Sequence, residues 1–228
     1  MAITGLLLCG FLVVHLAGNI LLYVGPEAYN EYAHKLHSNE ALLMVLETGL
    51  FSLFIAHIVL AISLAGENKL ARGRDYAVKK NKGDGGGIGF WRPDTKMVIS
   101  GVIVLAYLVL HLSDFKFGWT TGDEVDGMSE YGKATTILKQ PLTIVGYLVG
   151  QGFLIYHLMH GVSSAFQSLG INHRKYNRAI KWGGVMFAWV VGAGFMSFVL
   201  VSVTGGLRPD AESKAPPAAD VAPEKPAQ

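Results

Sequence analysis

The sequence predicts an all-α membrane protein built on five transmembrane helices. Three observations carry that reading: five apolar stretches each long enough to cross a bilayer, a mean hydropathy of +0.36, and a composition 51% hydrophobic but only 16% charged over 228 residues. A soluble domain has about 25% charged residues, so the balance is that of a chain solvated by lipid. The net charge of +2 offers no electrostatic footprint for nucleic acid.

A hydrocarbon core of about 30 Å takes roughly 20 helical residues. The first such stretch, residues 2–24, has no basic leader and no small-residue cleavage site, and it carries His15; it reads as a retained helix rather than a signal peptide. Tyr29, Tyr32, His34 and His37 follow in a segment suited to an interfacial amphipathic helix. The second span covers 41–65, with Glu47 about six residues inside it. A basic loop follows, in which the glycine run at 83–89 has no preceding strand and reads as a linker rather than a phosphate cradle. The third span is 96–118. The fourth is 141–168, entered through Pro141, a residue tolerated in a first turn. The fifth is 182–204. Residues 1–205 thus form one transmembrane domain, and 206–228, rich in Pro, Ala and charge, are a disordered tail.

Lys and Arg are distributed unevenly between the loops. The second loop holds Lys69, Arg72, Arg74, Lys79, Lys80, Lys82 and Arg92, and the fourth Arg174, Lys175, Arg178 and Lys181. The first has only Lys35, and the third sets Lys116, Lys133 and Lys139 against Asp123, Glu124, Asp126 and Glu130. The positive-inside rule places loops two and four in the cytoplasm, the N-terminus inside and the C-terminus outside, as in a bacterial-type cytoplasmic membrane. The single Cys9 excludes a disulfide framework and an iron–sulfur cluster held by this chain alone.

Four histidines stand one to a helix. His15 lies about nine residues and His111 about seven from the outer ends of their spans, some 10–14 Å at the helical rise. His57 lies about eight and His157 about eleven residues from the inner ends, roughly 12–17 Å. An ionisable side chain inside a bilayer is a functional candidate by default, although one alone serves equally well as a hydrogen-bonding partner. Four in two matched levels suit axial ligation of two b-type haems enclosed by the bundle, His15 with His111 and His57 with His157. His160 shares a helix with His157 and is not separated from it by position alone. His34, His37 and His173 read as surface groups or contacts to a haem edge.

Intrahelical glycines cost stability unless something must approach closely. Gly146 and Gly150 form a small-xxx-small face for a neighbouring helix. Gly18, Gly101 and Gly161, near the histidine levels, are candidates for clearance of a flat macrocycle. Glu47 near the outer level is placed as a general base for quinol protons, or as an interfacial carboxylate reaching water. Asp114 reads as a near-surface partner of Lys116, and Gln151 as a hydrogen-bonding group between helices.

The segments HLAGNILLYVGPEAYNEYAHKLHS from His15, HIVLAISLAGENKLAR from His57, HLSDFKFG from His111 and HLMHGVSSAFQSLGINH from His157 resemble the five-helix, di-haem cytochrome b anchor of succinate dehydrogenase and fumarate reductase. The resemblance spans about residues 1–205. It implies ligands from the first four helices, first with third and second with fourth, and its HxxxG pattern favours His157 over His160. It further implies a flavoprotein and an iron–sulfur subunit as partners, and electron transfer to or from a membrane quinone, menaquinone or ubiquinone, with no succinate or fumarate chemistry in this chain. A cytochrome b serving another dehydrogenase or a hydrogenase uses similar haem physics. An intramembrane metalloenzyme built on His34-x-x-His37 and His157-x-x-His160 is the more distant alternative, because those two clusters lie at opposite faces.

Overall fold

The computed structural model describes residues 1–71 and 93–207. They form α1 (Ala2–Val24), α2 (Pro26–His37), α3 (Glu40–Ala71), α4 (Pro93–Phe115), α5 (Glu130–Ile137), α6 (Pro141–Ser168) and α7 (Asn177–Val203), with one 3-10 turn at Gly122–Val125 and no strand among the described residues. Five of the helices, α1, α3, α4, α6 and α7, are long and apolar enough to cross a membrane. The basic residues of the second loop from Arg72 to Arg92, the glycine run and the tail beyond Leu207 lie outside the described residues.

Helix ends depart from the apolar limits for identifiable reasons. Hydropathy marks only the lipid-facing length, so α3 continues past residue 65 to Ala71, and α7 begins at Asn177 rather than 182. α4, the third of the expected spans, ends at Phe115 instead of 118. There the amides of Lys116 and Phe117 both bond the Leu112 carbonyl, and Gly118, at φ +65, turns the chain out of the helix. The third interhelical segment is more ordered than its acidic composition suggests. Ser129 caps α5 by accepting from the Gly132 amide at 3.1 Å, and Tyr131 and Ile137 are fully buried. The amphipathic α2 packs on α5, where Asn30 Oδ1 accepts from the Tyr131 amide at 2.9 Å. Together they close one end of the bundle.

The packing is uneven. α6 packs most extensively, against α7 on one side and α4 on the other. Its glycines permit this: side chains at Gly146 and Gly150 would collide with Leu110 and Tyr107 of α4, and one at Gly192 of α7 with Ile155 of α6. In contrast, no residue in the spanning segment of α3 is buried, and it packs mainly against α1 and α2. A cavity separates it from the other helices. Exposed Trp119 at one end and Trp182 at the other occupy the positions of interfacial aromatic belts.

Gly192→Ala should destabilise the protein by about 1–3 kcal/mol through overpacking against Ile155. Gly10→Ala, with nothing within 4 Å of the added carbon, should leave stability unchanged or raise it by up to about 1 kcal/mol. Thermal unfolding of the two variants in detergent measures the difference, and equal melting temperatures would contradict the packing described.

Candidate haem site

A cavity of about 2050 Å³ runs through the bundle, and His15, His57, His111 and His157 all line it. A typical small-ligand pocket is about 300–1,000 Å³, so this one has room for more than one large group. Its walls are mostly apolar. Phe11 stacks on His15 with ring centroids 5.3 Å apart, Phe195 approaches the same ring at 5.5 Å, and Phe115 approaches His111 at 5.2 Å.

The four imidazoles fall into two levels. His15 and His111 face each other with centroids 5.8 Å apart and planes at 76°. Two imidazoles on opposite sides of one metal, with metal–nitrogen bonds of about 2 Å, have centroids about 6 Å apart. His57 sits beside Thr4 and Gly5 of α1, and His157 beside Ser100 and Gly101 of α4. Thr4 precedes His15 by eleven residues, and Ser100 precedes His111 by the same interval. Both rings of the second pair therefore lie about 16 Å along the helical rise from the first pair. One interval recurs on two helices, which places His57 and His157 at a common depth.

A hydroxyl stands beside Nδ1 on three of the rings. The Thr4 hydroxyl lies 2.8 Å from the Met1 carbonyl and 3.1 Å from His57 Nδ1; when its one proton goes to the carbonyl, the ring is the donor in the second contact. Ser100 repeats the device: it donates to the Met97 carbonyl at 3.1 Å and accepts from His157 Nδ1 at 3.1 Å. Tyr147 meets His111 Nδ1 at 3.3 Å. In the tautomer with the proton on Nδ1, Nε2 carries the lone pair a metal needs; among the described residues no hydrogen bond engages the Nε2 of these rings, and at His111 either ring or phenol can be the donor. His15 is the exception. Asn19 Nδ2 donates to the His15 carbonyl at 2.8 Å and stands 3.4 Å from Nδ1, too long to decide the tautomer.

The residues fit a pair of haems. Each level has two imidazoles, the cavity is large and apolar, and bare glycine surface lies against each ring of the second level. A side-chain carbon at Gly5 would stand 3.4 Å from His57, and one at Gly101 3.6 Å from His157. Gly161 also lines the cavity. Gly18 does not serve as macrocycle clearance: Tyr32 of α2 fills the space above it, its hydroxyl 2.6 Å from where a side-chain carbon would be. No three His, Cys, Asp or Glu side chains converge among the described residues; the histidines pair two by two.

The remaining candidates divide. His160 bonds the Tyr156 carbonyl of its own helix at 3.3 Å and is not on the cavity wall, whereas His157 is. His34, His37 and His173 are exposed and away from the cavity. Glu47 lines it and pairs with Lys116 at 2.5 Å, both side chains more than a third exposed. That pairing corrects the expected Asp114–Lys116 contact. Asp114 is fully buried, accepts from Thr143 Oγ1 at 3.2 Å and is bonded by Thr120, because the turn at Gly118 folds Thr120 back over the end of α4. Gln151 bonds Tyr107 of the neighbouring helix at 3.4 Å. Thr4, Ser100 and Tyr147 were not singled out by sequence, though each is a hydroxyl in an otherwise apolar helix.

Ser100→Ala removes the acceptor of His157 Nδ1–H without changing the shape of the wall. It should weaken haemin binding at the His57/His157 level by about 10–100-fold and leave the His15/His111 level unaltered, as read by spectral titration of the haem-depleted protein. Equal weakening at both levels would contradict the local role. No protein-family model, curated protein or solved structure matches the chain, so this geometry stands on its own.

Proposed function

We propose that the chain is the membrane-anchor cytochrome b subunit of a succinate dehydrogenase or fumarate reductase, conducting electrons between an iron–sulfur partner and membrane quinone. The observation that carries the cytochrome reading is the set of four imidazoles in two levels about 16 Å apart on α1 and α4 by the helical rise, all on the wall of one cavity and three of them with a hydroxyl beside Nδ1. The assignment to this complex, rather than to another dehydrogenase or a hydrogenase, rests on the resemblance of the four histidine segments.

In this reading His15 and His111 hold the outer haem, and His57 and His157 the inner one. When bound, the two haems supply one-electron carriers at two depths and divide the bilayer into short transfers. The protein contributes position and dryness. Thr4, Ser100 and Tyr147 orient the rings, and Phe11, Phe115 and Phe195 exclude water from the upper pair. Glu47, beside Lys116 on the cavity wall, is the general base for quinone chemistry: a quinol headgroup entering there gives up a proton to its carboxylate, and a quinone being reduced takes one back. Arg174, Lys175, Arg178 and Lys181 of loop four would meet the flavoprotein and iron–sulfur subunits on the cytoplasmic side of a bacterial-type membrane, the side to which the positive-inside rule also assigns loop two by its sequence.

His57→Ala or His157→Ala should remove the inner spectral component, and His15→Ala or His111→Ala the outer one, in reduced-minus-oxidised spectra of the purified complex. Loss of the same component in all four variants would overturn the assignment of ligands. Co-purification of a flavin-bearing subunit supports the anchor reading, and its replacement by a subunit without flavin refutes it.

A further inference from the structure

The wall of the central cavity carries almost no charge. Among the described residues that line it, Lys116 is the one cationic side chain apart from the histidines, and Glu47 the one acidic side chain. A haem brings propionate carboxylates on one edge of its macrocycle, and a carboxylate taken into an apolar space is costly unless it is paired and hydrogen-bonded. The place where the wall can meet such a group therefore says which way the macrocycle is inserted.

Three helices give the same direction for the outer level. Lys116 follows His111 by five residues at the end of α4, Asn19 follows His15 by four on α1, and both line the cavity. By the helical rise they stand about 6–8 Å from the His15/His111 level, on the side away from the second pair. Glu47 comes to the same end from α3: it precedes His57 by ten residues, about 15 Å at the helical rise, and its carboxylate meets the Lys116 ammonium at 2.5 Å. Toward the second pair the described wall has no cationic side chain. Four residues before His15 and His111 stand Phe11 and Tyr107, and the Tyr107 hydroxyl is engaged by Gln151 at 3.4 Å. Glu47 does not exhaust the ammonium, which has three protons to give. Among the described residues Glu47 is its one hydrogen-bonded partner, and the Lys116 side chain is 44% exposed, which leaves it open to a second carboxylate.

We infer that Lys116 is a positioning residue for the outer haem: its ammonium holds a propionate carboxylate, so that the macrocycle between His15 and His111 is inserted with its propionate edge toward the α2/α5 end of the bundle. The same cation keeps Glu47 beside that edge, because one ammonium serves both carboxylates. A charge-assisted hydrogen bond of this kind is stronger than one between neutral groups, and here it also fixes orientation, since a macrocycle turned the other way would present its carboxylates to apolar wall. The inference rests on the di-haem reading above and adds the direction in which one haem enters. At the His57/His157 level no cationic side chain among the described residues lines the cavity, so the two levels make different demands on the propionates.

The test titrates the haem-depleted full chain with haemin and with haemin dimethyl ester, whose carboxylates are capped, and reads each level by its own spectral component. The wild-type outer level should bind haemin more tightly than the ester. Lys116→Gln should weaken haemin there by about fivefold, the size expected for a partly exposed ion pair, and leave ester binding unchanged, so that the preference disappears. Lys116→Arg should keep the preference, and neither variant should alter binding at the inner level. An equal fall for haemin and ester would make Lys116 a merely structural residue and overturn the inference, as would unchanged haemin binding in Lys116→Gln. If that variant fails to fold, the wild-type comparison still decides, because an outer level that takes the ester as tightly as haemin has no propionate contact. A wild-type chain that binds haemin at the outer level without that preference sinks this inference alone, whereas a chain that binds no haem there sinks the functional reading with it.

Discussion

An imidazole in hydrocarbon must have both ring nitrogens satisfied, and among the described residues no hydrogen bond reaches the Nε2 of the four that line the cavity. For three of the four spanning histidines that line the cavity, a hydroxyl from a neighbouring helix lies within hydrogen-bonding distance of Nδ1. A polar group left unpaired in an apolar medium costs on the order of several kcal/mol, so the other nitrogen of each ring carries that cost unless a group in the cavity bonds it. The cavity and the loose seating of α3 leave open space beside all four rings.

The rest of the bundle compensates for this open interior. α4, α6 and α7 pack against one another through glycine contacts that bring Leu110, Tyr107 and Ile155 down onto bare backbone. This compact wall carries His111 and His157 together with Ser100 and Tyr147, so one side of each level is held by rigid helix. The opposite side, from α1 and α3, is held by fewer contacts, and a bound macrocycle would supply the missing ones. Such a division lets a site be shaped in advance on one face and completed by its ligand on the other.

Polar chemistry is concentrated at the α2/α5 end. The Glu47–Lys116 pair faces the cavity, and Asp114 lies buried nearby among hydroxyls. The two acids differ in kind. Glu47 is partly exposed beside Lys116. Asp114 is closed off from solvent and bonded by Thr120 and Thr143.

Much of this was legible in the amino-acid order. Apolar length identified the five helices, because the thickness of the hydrocarbon demands it, and the period of the helix converted the positions of His15, His57, His111 and His157 into two depths. Where a helix continues into water, as at Ala71 and Asn177, hydropathy had nothing to report. The identity of partners was the other blind spot. That Lys116 pairs with Glu47 from α3 and not with nearby Asp114, that Tyr32 occupies the space over Gly18, and that Thr4 and Ser100 support histidines fifty-three and fifty-seven residues away depends on how separate helices meet. Local sequence sets what a helix presents, through its period and its solvent. Only the packed structure decides which groups meet, because that choice is made by shape and by competition among all the faces at once.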